Sequence, residues 1–572
     1  MKIFLAQQNY HIGNFDSNTQ KIIEAVKRAK AMGADLAVFT ELSICGYPPR
    51  DFLEFADFIE RCDAAIATIA EHADTIGVIV GAPQRNPAPE GKDLFNTAWF
   101  LYDKKVHATV HKTLLPTYDV FDEYRYFEPA IEWKVVPFKG VNIALTICED
   151  IWNLGDNPLY RICPMDQLMQ QDPRIMINIS ASPFDYDHDE DRKEVIRQNV
   201  KKYHLPIVYC NAVGSQTEIV FDGGSLVYSA AGELIRELKY FEEDEYLADI
   251  DLSDETDTTN IDKTIHLEIF DKEMRVGKMK DPDKVISYLT NENNIGQIHK
   301  ALIMGIRDYF SKMGFSKAIL GSSGGIDSAV TLALACEALG KNNVLAVLMP
   351  SPYSSSHSVD DAVKLSKTLG NPYEIVAIKD IYESFLAALK PQFKDLPFSV
   401  AEENIQSRTR GNLLMAIANK FGYILLNTSN KSELATGYGT LYGDMAGGLS
   451  VLGDVYKMQV FALARYINRN GEVIPANIIS KPPSAELRPN QKDSDSLPEY
   501  ELLDKVLYQY IERRQGPREI ISMGIDEALV RRVLKMVNVN EYKRNQFCPI
   551  IRVSAKAFGV GRRVPIVGKY LS

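Results

Sequence analysis

One short segment indicates the fold more clearly than any other: Gly321-Ser322-Ser323-Gly324-Gly325-Ile326-Asp327-Ser328. An apolar run, Ala318–Leu320, precedes it, and Ser328–Leu339 follows as a predicted helix. Small residues between a strand and a helix let the backbone approach phosphate oxygens, and the free N–H groups at the helix start point at the anion. The segment therefore predicts a nucleotide-binding turn at the carboxyl end of a strand.

This segment is not a Walker A loop, because Asp327 stands where that loop has Gly-Lys-Ser/Thr. A carboxylate at this place suits pyrophosphate held together with Mg²⁺, a hard cation that prefers carboxylate and phosphate oxygens. The plainer alternative is a glycine turn without a ligand. A serine-rich turn with an internal aspartate favours nucleotide binding.

Strands and helices alternate downstream and upstream of this segment. Asn294–Lys312 has the spacing of an amphipathic helix, Val344–Leu348 is an apolar strand, and a further helix begins at Val359. Such alternation is typical of a parallel sheet with helices on both faces. We therefore predict a doubly wound, Rossmann-like α/β domain in the C-terminal half.

The N-terminal half predicts a second α/β domain. Thr19–Met32 has helical spacing, and short apolar runs predict strands buried between layers. These runs are Ile3–Gln7, Leu36–Phe39, Ile76–Val80, Thr97–Tyr102, Val141–Ile147, Ile175–Ile179 and Ile207–Cys210. The pattern predicts an α/β sandwich.

The chain of 572 residues is too long for one ordinary core, and its composition changes between the halves. Glu242–Lys263 is dense in Asp, Glu and Thr, and Met279–Lys284 contains the run Lys-Asp-Pro-Asp-Lys. We expect an N-terminal domain at 1–260, a linker at 261–285 and a C-terminal domain at 286–572.

Charge and composition narrow the class of protein. Hydrophobic residues make up 45% and charged residues 24% of the chain, which is typical of a soluble globular protein. The net charge of −12 argues against a nucleic-acid partner. No apolar run reaches the roughly 18 residues of a membrane span, and the apolar start is too short for a signal peptide. The seven cysteines lack a Cys-x-x-Cys pair, which favours reduced thiols in the cytoplasm.

One cysteine stands apart from the other six. Cys148 directly follows the predicted strand Val141–Ile147, although a lone cysteine there is more often structural. Glu41 follows a second predicted strand and Lys112 a third apolar run. Read singly, Glu41 would be a loop acid and Lys112 a surface cation. Together the three provide an amide-cleaving set, in which Glu takes the thiol proton, the thiolate attacks the amide carbon and Lys stabilises the oxyanion.

In this order and at these strand ends, Glu41, Lys112 and Cys148 resemble the Glu-Lys-Cys triad of the nitrilase superfamily. Matching segments are Glu41-Leu-Ser-Ile-Cys-Gly-Tyr-Pro-Pro-Arg-Asp, Lys112-Thr-Leu-Leu-Pro-Thr-Tyr118, Phe121-Asp-Glu123-Tyr-Arg-Tyr-Phe127 and Ser180-Ala-Ser182-Pro-Phe184. The resemblance implies an αββα sandwich. It also implies that Glu123 assists catalysis and that Tyr118 and Ser182 contact glutamine.

The segment around Asp327 resembles the Ser-Gly-Gly-x-Asp-Ser signature of N-type ATP pyrophosphatases, which cleave ATP to AMP and pyrophosphate while they activate a carboxyl. Downstream segments narrow the resemblance to the NAD⁺ synthetase family. They are Asn404, Arg408-Thr-Arg410, Asn427-Thr428-Ser-Asn-Lys-Ser-Glu433, Tyr442-Gly-Asp444, Tyr456-Lys457-Met-Gln459, Pro482-Pro-Ser484-Ala-Glu-Leu487 and Arg552-Val-Ser-Ala-Lys556-Ala-Phe-Gly.

This resemblance implies roles for individual residues. ATP would bind the whole segment Gly321 to Ser328, and Mg²⁺ would bind Asp327 and Glu433. Further ATP contacts would be Thr428, Lys457 and Ser484, the last of which stands where the family usually has Thr. The nicotinate dinucleotide would contact Asn404, Arg408, Glu433 and Lys556. Without the resemblance, Asn404, Ser484 and Lys556 would be ordinary loop residues.

One stretch departs from the glutamine-using pattern. That family usually has a lysine in a glycine-containing turn soon after Ser-Pro-Phe. Here Ser182-Pro-Phe184 leads into the longer, acidic run Asp185-Tyr-Asp-His-Asp-Glu-Asp-Arg192-Lys193. We consider Lys193 the substitute for the missing lysine in glutamine binding.

The order of the parts, amidase first and ATP pyrophosphatase second, resembles the long form of the NAD⁺ synthetase family. It implies a ligase that takes ammonia from glutamine at Cys148 and joins it to deamido-NAD⁺ after adenylation, with ATP as co-substrate and Mg²⁺ as cofactor. It also implies a homo-oligomer. Two alternatives stay open: an amidotransferase with a different carboxyl acceptor, and a metabolite sensor without turnover. The intact Glu41, Lys112, Cys148 and Asp327 count against the sensor.

Overall fold

The computed structural model describes residues 1–154, 159–186, 188–252, 277–489 and 491–571. The chain divides into two units, Met1–Arg275 and Val276–Ser572. In the described ranges no helix has both the length and the apolar character that a membrane crossing needs. Each unit has its own sheets and its own buried core.

In the first unit the described α-helices lie between some of the strands, while the strands within residues 77–147 and within residues 207–249 follow one another without an α-helix. The strands are β1 Lys2–Gln7, β2 Leu36–Val38, β3 Gly77–Arg85, β4 Leu94–Tyr102, β5 Lys105–His111, β6 Val136–Phe138, β7 Val141–Ile147, β8 Ile175–Ser180, β9 Ile207–Asn211, β10 Val213–Gln216, β11 Ile219–Asp222, β12 Leu226–Tyr228, β13 Leu234–Glu237 and β14 Asp244–Asp249. The helices are α1 Phe15–Ala31, α2 Ala56–Ala70, α3 Pro164–Leu168 and α4 His188–Tyr203.

Two large sheets and one hairpin contain these strands. One sheet has the order β14-β1-β2-β3-β4-β5, the other has the order β13-β12-β9-β8-β7-β6, and β10 pairs with β11. The centres of both sheets are parallel: β1, β2 and β3 run together in the first, and β7, β8 and β9 in the second. The segments that follow β2, β5 and β7 begin with or lead directly to the predicted reactive residues.

Apolar side chains pack the two sheets face to face. Leu5 and Val38 of the first sheet share a buried cluster with Leu145, Ile177 and Val208 of the second. The other face of the first sheet packs on α1 and α2, and the other face of the second packs on α3 and α4. The layers therefore run αββα, and the prediction of an α/β sandwich is confirmed.

In the second unit the described helices outnumber the strands. The strands are β15 Ala318–Gly321, β16 Val344–Leu348, β17 Tyr373–Ile375, β18 Ile424–Asn427 and β19 Leu449–Ser450. The helices are α5 Val285–Leu289, α6 Glu292–Met313, α7 Ile326–Leu339, α8 Ser356–Leu369, α9 Lys379–Phe393, α10 Val400–Phe421, α11 Lys431–Thr436, α12 Lys457–Ile467, α13 Ala476–Ser480, α14 Tyr500–Ile511, α15 Pro517–Ser522, α16 Glu527–Val539 and α17 Glu541–Arg544.

The sheet of the second unit is parallel, in the order β17-β16-β15-β18-β19. The chain moves outward from β15 first to β16 and β17, and then returns to the other side of β15 to add β18 and β19. In such sheets ligands bind beyond the carboxyl ends of the strands where this direction changes. The predicted doubly wound sheet is confirmed, and the segment predicted to bind a nucleotide directly follows β15.

The acidic stretch Glu242–Lys263, around the predicted end of the N-terminal domain, contains a regular strand near its start. Its residues Asp244–Asp249 form β14, which pairs with β1 in antiparallel register. Residues 261–276 of the predicted linker lie outside the described residues. Its remaining residues contain the single turn Pro282–Lys284 that leads into α5. The domain limits at 260 and 286 stay predictions.

Candidate active sites

The thiol of the first unit is held at the end of a buried strand. Cys148 follows β7 and opens the helical turn Cys148–Ile151, and its side chain is 4% exposed. Its φ of +44° lies in the left-handed region, which costs a residue with a Cβ atom about 1–2 kcal/mol. Ile147 pairs with Ile179 of β8, so the thiol lies beside the end of that strand. A strained residue at the end of a central strand is a usual place for a nucleophile.

Glu41, Lys112 and Glu123 form one buried charged cluster in the same unit. The Lys112 ammonium is fully buried and donates hydrogen bonds of 2.8 Å to both the Glu41 and the Glu123 carboxylates. Asn96 Nδ2 donates to Glu41 at 2.7 Å, and Tyr47 OH donates to Glu123 at 2.8 Å. The alternative that Lys112 is a surface cation is therefore excluded by its burial, and two carboxylates fix the ammonium in one place.

Burial and the charges of this cluster both affect the pKa of the Cys148 thiol. Burial raises the pKa of the Cys148 thiol well above its ordinary value, Glu41 raises it further, and Lys112 lowers it. Burial also raises the pKa of Glu123 to about 7, against the lowering effect of Lys112. The thiol therefore keeps its proton in the resting site, and attack on a carbonyl needs a base within reach. A carboxylate, an ammonium and a buried thiol together suit amide cleavage.

The predicted glutamine contacts Tyr118, Ser182 and Lys193 lie on three different segments, and the first two lie near the thiol. Tyr118 OH donates to Glu149, the residue after the nucleophile, at 2.9 Å. The Ser182 backbone N–H donates to Asn211 Oδ1 at 2.9 Å, and its hydroxyl contacts His188 Nε2 at 3.1 Å. Both residues are thus fixed close to the elements that hold the thiol.

Lys193 lies on α4, with its ammonium 3.0 Å from Glu237 and 3.3 Å from Glu190. Its predecessor Arg192 points inward and forms a fully buried ion pair with Asp222. Consecutive helical residues point roughly 100° apart, so the two cations face different surroundings. The predicted glutamine contact of Lys193 stays a prediction.

In the second unit the turn after β15 is shaped for close approach. Gly324 has a φ of +77°, and a Cβ atom there would lie 2.2 Å from the Ser358 carbonyl oxygen. The Ser323 hydroxyl accepts the Gly325 backbone N–H at 3.2 Å. Ser322 Oγ is buried and, among the described residues, has no hydrogen-bond partner. A buried hydroxyl without a partner at a glycine turn fits a phosphate oxygen as its acceptor.

Asp327, Lys457 and Glu433 form a charged cluster in front of this turn. The Lys457 ammonium donates to Asp327 Oδ2 at 2.6 Å and to Glu433 Oε1 at 3.5 Å. Asn430 Nδ2 donates to the other oxygen of Asp327 at 2.9 Å. Burial raises the pKa of Glu433 to about 8, and the nearby Asp327 charge raises it as well. Two carboxylates that share one cation form a place where a second positive charge is favourable.

A cavity of about 300 Å³ contains most of the predicted nucleotide contacts. The predicted residues in its lining are Gly321, Ser322, Ser323, Gly325, Ile326, Asp327, Ser328, Thr428, Glu433, Lys457 and Ser484. Gly324 lies outside this lining, behind the turn against Ser358. The cavity thus collects residues from four separate segments of the sequence.

Three predicted dinucleotide contacts lie outside this lining. Asn404 Oδ1 accepts from Thr440 at 2.7 Å, and Arg408 Nε donates to the Leu441 carbonyl at 3.2 Å. Lys556 lies on the C-terminal segment, where its carbonyl accepts from Lys431 at 3.0 Å. Asn404 and Arg408 are one helical turn apart on α10 and bind the same neighbouring segment.

Comparisons with known proteins cover both units. The family model for carbon–nitrogen hydrolases matches residues 2–260, and the model for NAD synthase matches residues 298–547. A glutamine-dependent NAD(+) synthetase of Synechocystis sp. is 43% identical over 571 residues, which is 99% of this chain and 98% of that protein. The chain belongs to the glutamine-dependent NAD⁺ synthetase family.

Two further members of the family support this assignment. The enzyme of Thermotoga maritima is 40% identical over 580 residues, covering 100% of this chain and 99% of that protein. The solved structure of the Acinetobacter baumannii enzyme, in complex with adenosine diphosphate, is 38% identical with a TM-score of 0.73. That match covers 100% of this chain and 99% of the other.

Several residues of the two sites were not predicted from the sequence. In the first site they are Tyr47, on a loop, and Asn96, near the start of β4, which bind the carboxylates of Glu123 and Glu41. In the cavity one of them is Arg410, whose Nε donates to the Met349 carbonyl at 3.1 Å. Residues two apart on a helix point roughly 200° apart, so only one of Arg408 and Arg410 can face the cavity. The segment Arg408-Thr-Arg410, which resembles the family, was the sequence signal that could have identified Arg410.

Proposed function

We propose that the chain amidates deamido-NAD⁺ to NAD⁺ with ammonia released from L-glutamine, consuming ATP and giving AMP, pyrophosphate and glutamate. The observation that carries the proposal is the burial of Lys112 between Glu41 and Glu123 beside the Cys148 thiol. That arrangement serves amide cleavage. The chain combines it with a separate phosphate-binding turn, as expected for a ligase of this family.

Glutamine cleavage would start at Cys148. Glu41 accepts hydrogen bonds from Lys112, from Asn96 and from the Ala181 backbone N–H at 3.0 Å, which hold its carboxylate in place as the base for the thiol proton. The thiolate then attacks the side-chain amide carbon, Glu41 passes the proton to the departing nitrogen, and ammonia leaves behind a glutamyl thioester. Water then hydrolyses the thioester to glutamate and restores the thiol. Lys112 stabilises the oxyanion, and Glu123 keeps the ammonium oriented.

NAD⁺ formation would take place on the second unit. A free carboxylate is a poor electrophile, so ATP first adenylates the nicotinate carboxylate of deamido-NAD⁺ and pyrophosphate leaves. Ammonia then displaces AMP. The turn after β15 would bind the ATP phosphates through backbone N–H groups and Ser322 Oγ, and Lys457 would contact them as a cation.

The residues present fit a magnesium ion. Asp327 and Glu433 offer hard carboxylate oxygens at one place in the cavity, where the Lys457 ammonium already binds both. No group of three or more His, Cys, Asp or Glu in the described residues forms a complete metal site. Mg²⁺ usually binds one or two carboxylates together with substrate phosphates, which this pair allows. Bound there, the ion would neutralise phosphate charge.

The remaining substrate contacts are part of the same proposal. Thr428 and Ser484 would complete the ATP site, and Asn404, Arg408 and Lys556 would contact the nicotinate dinucleotide. Tyr118, Ser182 and Lys193 would bind glutamine. We further propose a cytoplasmic homo-oligomer that acts on small molecules, without a nucleic-acid or membrane partner.

A pyrophosphate-release assay tests the proposed function. Deamido-NAD⁺, ATP and Mg²⁺ are supplied with either glutamine or ammonium, and NAD⁺ is measured in parallel. We expect release with both nitrogen donors and only when deamido-NAD⁺ is present. Release with another carboxylic acid but not with deamido-NAD⁺ would indicate a different acceptor. No release with any acceptor would indicate a sensor without turnover.

Lys112→Arg tests the role of the buried ammonium. The guanidinium is larger and planar, so it cannot place one point charge between Glu41 and Glu123. We expect glutaminase activity to fall on the order of a hundredfold or more, because one oxyanion contact is lost. Ammonium-dependent NAD⁺ synthesis should not change. Both rates are measured on the same preparation.

Lys139→Arg is the matched control, since that lysine pairs with Asp35 at the surface of the same unit. It should leave both activities unchanged. If the Lys112→Arg variant kept glutaminase activity within about twofold of wild type, Lys112 would not belong to the reacting set.

A further inference from the structure

Asp150 binds two separate segments of the first unit with one carboxylate. Its Oδ1 accepts the backbone N–H groups of Thr113 at 3.0 Å and Leu114 at 2.9 Å. Its Oδ2 accepts the Ile147 backbone N–H at 3.1 Å. The side chain is almost completely buried, so these three donors replace its hydration.

The two segments joined in this way carry the reacting groups. Thr113 and Leu114 directly follow Lys112, whose own N–H donates to the Asn96 carbonyl at 2.8 Å. Ile147 directly precedes Cys148, which has the strained φ of +44°. One carboxylate therefore connects the backbone beside the ammonium with the backbone beside the thiol.

The carboxylate form is what this contact requires. Only an ionised carboxyl group accepts hydrogen bonds on both oxygens without offering a donor of its own. An amide of the same shape accepts on its oxygen and donates from its nitrogen, so it satisfies one segment and repels the other. Burial raises the pKa of Asp150 to about 7, while the N–H groups of Leu114, Ile147 and Thr113 and the charge of Lys112 lower it.

We propose that Asp150 is a positioning residue that fixes the Lys112 ammonium relative to the Cys148 thiol by binding the backbone of both segments. The inference rests on the proposed glutaminase activity and adds a residue to it. Asp150 does not touch the reacting atoms in this arrangement. It acts through the two segments. Its loss should therefore lower the rate of glutamine hydrolysis at each reactive Cys148, and not the fraction of protein molecules that have a reactive Cys148.

Asp150→Asn tests this inference in the full chain. The variant keeps the shape of the side chain but loses one of the two tethers. We expect kcat for glutamine hydrolysis to fall about tenfold to a hundredfold per reactive Cys148, because misplacement by about 1 Å has that effect on an oriented reaction. The KM for glutamine should stay within a few-fold, and ammonium-dependent NAD⁺ synthesis should not change.

The number of intact sites is counted by alkylating the protein with iodoacetamide and quantifying the modified Cys148 peptide by mass spectrometry. Asp35→Asn is the matched control, because Asp35 also accepts a backbone N–H, from Lys2 at 2.8 Å, and pairs with Lys139, but at the surface. It should change neither kcat nor KM. Backbone hydrogen exchange is measured in parallel. In the peptides that contain Leu114 and Ile147 it should be faster in the Asp150→Asn variant than in wild type, and unchanged in the Asp35→Asn variant.

Each outcome decides the proposal. An unchanged kcat per alkylated Cys148, even with fewer reactive thiols, would reduce Asp150 to a stabilising residue and overturn it. A rise in the KM for glutamine that accounts for the lost glutaminase activity would overturn it too. So would a parallel loss of ammonium-dependent NAD⁺ synthesis, or hydrogen exchange that does not change. Absence of glutamine hydrolysis in the wild type would instead contradict the proposed function itself.

Discussion

Cys148→Ala is expected to abolish glutamine-supported NAD⁺ formation and to leave ammonium-supported formation intact. Without the sulfur no thioester can form, and the loss of a nucleophile lowers the rate on the order of a thousandfold or more. Alanine keeps the Cβ atom, so the backbone strain at φ +44° is the same in both proteins. NAD⁺ formation is measured with saturating glutamine and, separately, with ammonium at a pH where some free ammonia is present.

Cys163→Ala serves as the control for this experiment. Cys163 lies in the same unit, contacts the Tyr203 hydroxyl at 3.3 Å, and has no place in the charged cluster. Its replacement should affect neither nitrogen donor. Equal loss of both activities in the Cys148→Ala variant would contradict a two-site enzyme, because the thiol belongs to the first unit alone.

The sequence was sufficient for the parts of the fold that repeat a local pattern. The strand Val141–Ile147 has the predicted bounds, and the turn at Gly324 lies between a strand and a helix as its small residues indicated. Runs of apolar residues between polar ends carry this information locally. The order of the strands in each sheet is not local, and no residue pattern in the chain specified that β14 returns to pair with β1.

The reacting residues could be predicted because they stand next to strands that the local sequence pattern identifies. The residues that support them could not be predicted in this way. Glu41, Lys112 and Cys148 stand next to strands and carry chemistry that is rare in combination. Asn96 and Asp150 are ordinary polar residues in sequence, and their roles depend on which backbone or carboxylate the fold brings near. The pairing of Lys193 with Glu237 has the same origin, because it depends on the direction that a helical side chain takes.

Asp327→Ala is expected to remove NAD⁺ synthesis with either nitrogen donor. Adenylation precedes the attack of ammonia, so a change at the phosphate site affects both routes equally. Losing a carboxylate that we propose to bind Mg²⁺, and through it the pyrophosphate, should lower the rate on the order of a hundredfold or more. Glutamine hydrolysis at Cys148 should remain measurable. Synthesis is followed as pyrophosphate release at saturating Mg²⁺, and glutaminase activity as glutamate formation.

The Asp327→Ala variant also removes one negative charge from the cavity. Of its two hydrogen bonds to carboxylates, Lys457 would keep only the longer one, of 3.5 Å to Glu433. Asp380→Ala is the matched control, since Asp380 is likewise the second residue of its helix, α9, but is exposed. If Asp327→Ala kept ammonium-driven turnover at the wild-type level, Asp327 would be an ordinary residue at a helix start. The magnesium site proposed on Asp327 and Glu433 would then lose one of its two carboxylates, and Glu433 alone would have to hold the ion with the phosphates.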